Sequence, residues 1–154
     1  MTVDISESFP TGVDIDSIGR FARSVLDHEG VAADASLSVA LVDEARIAEL
    51  NREHMGKDGP TDVLSFPIEE ASPGVVPVAL KGGPPLQLGD IFVSTDVVAR
   101  HAQQFDSDFD TELHLMICHG VLHILGWDHQ TDAEAELMEA REATHLARMG
   151  MSRR

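Results

Sequence analysis

The chain has 154 residues, the size of one ordinary domain, with 43% hydrophobic and 25% charged residues. A single cysteine, Cys118, excludes an internal disulfide framework and fits a reducing compartment, and no apolar run approaches the roughly 20 residues that a membrane span requires. Eleven basic residues against 27 acidic ones give a net charge of −16, which favours solubility and excludes nucleic-acid binding by bulk electrostatics. A polyanionic substrate would have to be drawn in by a metal or a local basic patch. The opening MTVDISESFP lacks a basic region followed by an apolar stretch, so no signal peptide is expected.

In chain order, Val3 to Ser8 reads as a first strand. Ile15, Ile18, Phe21, Ala22, Val25 and Leu26 recur at helical spacing, with Gly30 as a stop. Leu37, Val39 and Leu41 alternate with small or polar residues, as in a strand. Asp43 can cap a second helix through about His54, ended by Gly56. Asp62 to Phe66 predicts a strand stopped by Pro67, and residues 69–87, rich in Pro and Gly, a loop or irregular hairpin. Leu88 to Ser94 is a further strand, followed by a helix from Thr95 or Asp96 to about Gln104. Another helix starts at Asp110 or Thr111 and runs to Gly126. Thr131 with Glu134 forms a capping box for a last helix ending near Met149, before a short tail at 150–154. The expected fold is α/β: one domain over 1–154, with a small mixed sheet of about four strands packed against about five helices.

The stretch HGVLHILGWDH, from His119 to His129, carries the chemistry. His119 and His123 are four apart and project from one helical face, as two ligands of one metal must. Gly126 lets the chain leave the helix in a left-handed turn, so that His129 can swing back. Three histidines with one open position form the ligand set of a catalytic zinc at the end of a central helix. The spacing matches the zinc-protease pattern H-E-x-x-H-x-x-G-x-x-H except that Gly120 stands where the general-base glutamate would be. That departure argues against peptide hydrolysis and is compatible with a phosphodiester, whose charge a metal and cations can stabilise. Asp128 is the nearest carboxylate, a substitute base or an acceptor for a ligand N–H, and otherwise a turn aspartate. Trp127 reads as core or pocket wall, Cys118 as a small core residue, and the acidic helix from Asp132 to Glu142 as a solvated face.

HGVLHILGWDH resembles the H-G-x-L-H-L-x-G-x-D-H signature of the YbeY family, bacterial endoribonucleases of ribosomal RNA maturation. The block from Leu50 to Pro67, LNREHMGKDGPTDVLSFP, is similar to that family's L-N-x-x-Y-R-x-K-D-x-P-T-D-V-L-S-F-P, and LGDIFVS at Leu88–Ser94 agrees more weakly. The resemblance covers most of the chain from about Ser36. It implies one zinc on His119, His123 and His129 and single-strand RNA cleavage. It further implies a role in 16S ribosomal RNA maturation and ribosome quality control, in the cytoplasm and close to the small ribosomal subunit. No DNA or membrane partner is expected. The pattern carries Arg where this chain has Met55, and Tyr where it has His54. The resemblance makes that arginine a phosphate-binding cation, a role methionine cannot fill. Lys57 and Arg52 are the candidates to replace it, with Lys57 favoured if its loop folds back toward the metal. Ser65 is a further candidate substrate contact or pocket wall. The rival readings are a zinc metalloprotease-like hydrolase and a non-catalytic zinc-containing ribosome-assembly factor.

Overall fold

The computed structural model describes residues 1–154. The elements follow in the order β1 (Thr2–Glu7), α1 (Ile15–His28), β2 (Ala35–Val42), α2 (Glu44–Leu50), a π-helical turn (Asn51–Met55), β3 (Val63–Pro67), β4 (Leu86–Ser94), α3 (Thr95–Gln104), α4 (Phe109–Ile124) and α5 (Asp132–Ala147). The sheet order is β1-β2-β4-β3, with β1, β2 and β4 parallel and β3 antiparallel at one edge. No helix is long and apolar enough to cross a membrane.

Strand alternation divides the core between the two faces of the sheet. Leu37, Val39 and Leu41 of β2, with Ile91 and Val93 of β4, join the main cluster with α1 and α4. Val42 and Leu64, with Ala40, Phe66 and Phe92 beside them, meet Ile47 and Leu50 of α2 on the other face. Of the α1 stripe read from the sequence, Ile18, Phe21, Ala22, Val25 and Leu26 are buried and Ile15 is partly buried. Helix α4 is apolar on nearly every side, which marks a helix enclosed by its neighbours, and it packs against β3, β4, α1, α3 and α5. The metal motif occupies its C-terminal half.

Four boundaries differ from the sequence reading, each for a local reason. Helix α4 starts at Phe109, because Asp108 caps it by accepting the Thr111 N–H at 2.8 Å, so the first turn begins before Asp110. It ends at Ile124, with Leu125 as its C-cap, short of Gly126. Strand β4 begins at Leu86, because the register shifts between Ser36 and Leu37 and leaves Leu88 as a bulge. The helix expected through His54 does continue to Met55, but its last five residues wind as a π turn. Thr131 caps α5 as expected, accepting the Glu134 N–H at 3.1 Å.

Candidate metal centre

Helix α4 places His119 and His123 one turn apart, with their Nε2 atoms 3.0 Å from each other. The chain leaves the helix through Gly126, at φ +92°, and brings His129 back to them. One ring nitrogen from each of the three histidines lies within 4.8 Å of the others. Gly126 is required twice over. Its φ disfavours a side chain, and a Cβ there would lie 2.6 Å from Ala71 C and 2.7 Å from Ser72 Cα. The 69–85 loop therefore braces the turn that carries His129.

The remaining ring nitrogens fix the tautomers. His119 Nδ1–H donates to Glu142 Oε2 at 2.9 Å, and His123 Nδ1–H donates to the Trp127 carbonyl at 2.8 Å. Both Nε2 atoms are then bare lone pairs facing each other at 3.0 Å, an arrangement that repels unless a cation lies between them. The donor set thus fits a metal ion. Burial and the neighbouring His119 and His129 push His123 down to about 4, so it is neutral and able to bind a metal at physiological pH. Burial pushes Glu142 up, but the hydrogen bonds from His119 and Arg153 and the Arg153 charge outweigh it and hold the carboxyl below its ordinary value.

Below the ordinary histidine value of 6.5 the unfolded chain takes up a proton that His123 of the folded, metal-free protein refuses until about 4. The unfolded state binds more protons across that window, so stability is expected to fall as pH drops through it. Urea unfolding of chelated protein at about pH 7.5 and about pH 5 checks this, and equal stability at the two values would contradict it.

The histidines open onto a cleft of about 770 Å³ also lined by Asp128, Lys57, Met55, Asp62, Ser65 and Trp127. Asp128 lines it while its Oδ1 accepts the His129 backbone N–H at 2.8 Å, which stiffens the ligand loop. Lys57 follows the left-handed Gly56 back into the cleft. Asn51 and Met55, four apart in the π turn, line the cleft, and Arg52 between them does not. Ser65 shares its β3 face with Val63 and donates to the Gly120 carbonyl at 3.0 Å, so it ties the strand to the metal helix. His54 keeps an aromatic edge contact with Phe66 at 5.0 Å.

Gly120 is closed by packing as well as lacking a side chain. A Cβ there would meet Ile91 Cγ2 at 3.0 Å and Ser65 Oγ at 3.3 Å, against the sheet. A larger residue at this position would have to push the Ile91 and Ser65 side chains aside.

A residue that sequence reasoning missed is Glu142. It was read as part of a solvated face, but it is 1% exposed and holds His119. Its signal was present in the spacing, since Met138, Glu142, His145 and Leu146 form the buried stripe of α5. A charged residue on such a stripe needs a partner. The 150–154 segment, expected as a plain tail, is held down: Arg153 bonds Glu142 at 3.0 Å and Arg154 bonds the fully buried Glu112 at 3.0 Å.

Comparison with known proteins decides the family. A family model described as endoribonuclease YbeY matches residues 6–150. The chain belongs to the YbeY endoribonuclease family. It is 42% identical over 146 residues to the endoribonuclease YbeY of Moorella thermoacetica, covering 94% of this chain and 93% of that one. It is 44% identical over 149 residues to the Salinispora tropica endoribonuclease YbeY, covering 96% and 95%. The fold is shared with a Thermotoga maritima protein whose solution structure is known, at a TM-score of 0.62 and 24% identity over 96% of this chain and 91% of that one.

Proposed function

We propose that this YbeY-family chain is a zinc-dependent endoribonuclease that cleaves single-stranded RNA and acts in the cytoplasm on ribosomal RNA of the small subunit. The observation that carries the metal-dependent reading is the pair of facing Nε2 lone pairs on His119 and His123, with His129 completing a three-histidine set beside an open cleft. Zinc bound there would supply Lewis-acid stabilisation of phosphoryl charge and a more acidic water.

The chain's own residues shape the rest. The cleft lining holds one lysine, Lys57, against two aspartates, Asp62 and Asp128, so a divalent cation tips its charge toward attraction of phosphate. Lys57 binds a phosphate oxygen in place of the family arginine that Met55 cannot supply. Asp128 keeps the His129 loop in place through the backbone N–H and has its second carboxylate oxygen to accept a proton in the cleft. Ser65 forms the wall, its hydroxyl already committed to Gly120. The sheet packed against Gly120 opposes the metalloprotease alternative.

End-labelled single-stranded RNA incubated with zinc-loaded and chelated protein tests the reading. Cleavage by the zinc form alone is expected. No cleavage by a fully zinc-loaded protein would defeat it. In the same assay Lys57→Met is expected to lower kcat/KM by roughly 10- to 100-fold, the loss of one charge-assisted phosphate contact of about 1.5–3 kcal/mol, with zinc content unchanged.

A further inference from the structure

We propose that Arg153 is a positioning residue for the metal centre, acting on His119 through the buried carboxylate of Glu142. The inference rests on the metal reading given above. Glu142 is 1% exposed, and its two oxygens face opposite duties. Oε2 takes the His119 Nδ1–H at 2.9 Å, and Oε1 takes Arg153 Nε at 3.0 Å. With Oε1 occupied, the carboxylate is held in the rotamer that presents Oε2 to the histidine. Without Arg153 it is a buried charge with one unpaired oxygen, free to turn or to take up a proton. Either change weakens the bond that fixes the His119 ring and its tautomer.

Arg153 is itself held in place. Its second guanidinium edge reaches Glu139 at 3.4 Å, and it donates to the Arg154 carbonyl at 2.8 Å. The segment is anchored by the Met151 N–H on the Leu146 carbonyl at 3.0 Å, with the Met151 side chain packed on the core. The Arg153 side chain is about a quarter exposed, so its role does not require deep burial of a second charge. Arg154, next to it, points to a different carboxylate, Glu112, and lies over the Phe105 ring at 3.9 Å. The two arginines share the segment, but only Arg153 is linked to a ligand. That gives a control for simple loosening of the chain.

The test compares wild type, Arg153→Met, Arg153→Lys and Arg154→Met, all folded at the assay temperature. Zinc affinity is measured by chelator competition, and the His119 imidazole N–H is followed by proton–nitrogen NMR in the metal-free protein. Arg153→Met is expected to bind zinc roughly tenfold or more weakly, within the 10- to 100-fold typical of residues that orient a metal ligand, and to lose or shift the His119 Nδ1–H resonance. Arg153→Lys should recover part of the affinity, since it keeps the charge but lacks the fork. Arg154→Met should lower the unfolding midpoint and leave zinc affinity at the wild-type value. Unchanged zinc affinity in folded Arg153→Met, or an equal loss in Arg154→Met, would overturn the proposal. Failure of wild type to bind zinc at all would instead defeat the metal reading, and this proposal with it.

Discussion

His123→Ala is expected to lose zinc and RNA cleavage together while keeping its fold. His123 is the middle histidine of the three, with its ring 4.5 Å from that of His119 and 5.0 Å from that of His129. Structural zinc sites with four protein ligands release about 10–16 kcal/mol on binding, or ~3 kcal/mol per ligand, so removing one of the three histidines here should weaken affinity by at least ~100-fold. The fold survives because the side chain is not a core support. Its loss leaves the Trp127 carbonyl without a donor, at a cost of about 1 kcal/mol, and it also removes the lone-pair repulsion against His119 in the metal-free state. The measurements are bound zinc, cleavage of end-labelled RNA and calorimetric unfolding of the chelated protein. Retained cleavage in a zinc-free, folded variant would end the metal-dependent reading. Loss of cleavage combined with full rescue of ribosome maturation in cells would instead favour an assembly role over catalysis.

Gly126→Ala is expected to be the most damaging single methyl group that can be added to the site. Two penalties combine. An L-residue in the left-handed region costs roughly 1–2 kcal/mol, and overpacking against fixed atoms costs roughly 1–3 kcal/mol more. The atoms met are backbone, Ala71 C at 2.6 Å and Ser72 Cα at 2.7 Å, so no rotamer change relieves the clash. Either the 69–85 loop or the turn must move, and the turn carries Trp127, Asp128 and His129. A loss of about 2–5 kcal/mol in urea unfolding is expected, with weaker zinc binding even where the protein is folded. Gly74 provides the comparison, since it also has positive φ but open space around its Cβ position. Gly74→Ala should show the backbone strain alone. Equal stability losses in the two variants would refute the role of the Ala71 contact.

Much of this protein was legible in one dimension because local rules set it. Period-two alternation in β2 and the 3.6-residue stripe of α1 follow from side-chain geometry and burial, so strands, helices and fold class could be read directly. The three metal-motif histidines were legible for the same reason. Helical spacing and one glycine bring them together within eleven residues, so their clustering could be read locally. The family likeness rested on contiguous blocks for which order and spacing suffice.

Other features depend on residues far apart in the chain. Glu142 reaches His119 across 23 positions; the α5 stripe marks Glu142 as buried, but not which partner it meets. Gly126 looked like a turn glycine, but the reason no larger residue fits is the backbone of Ala71 and Ser72, more than fifty residues away. Gly120 was visible as a missing base. That the sheet closes its place became clear only when Ile91 and Ser65 came to rest against it. The choice between Arg52 and Lys57 turned on whether the chain after the left-handed Gly56 folds back, which places Lys57 and not Arg52 on the cleft. Local propensity and periodicity thus determined the elements and the histidine cluster. Packing between distant segments decided which polar side chains are buried, which partners orient the ligands, and which cation faces the cleft, because a buried charge or a missing Cβ is defined by what surrounds it in space.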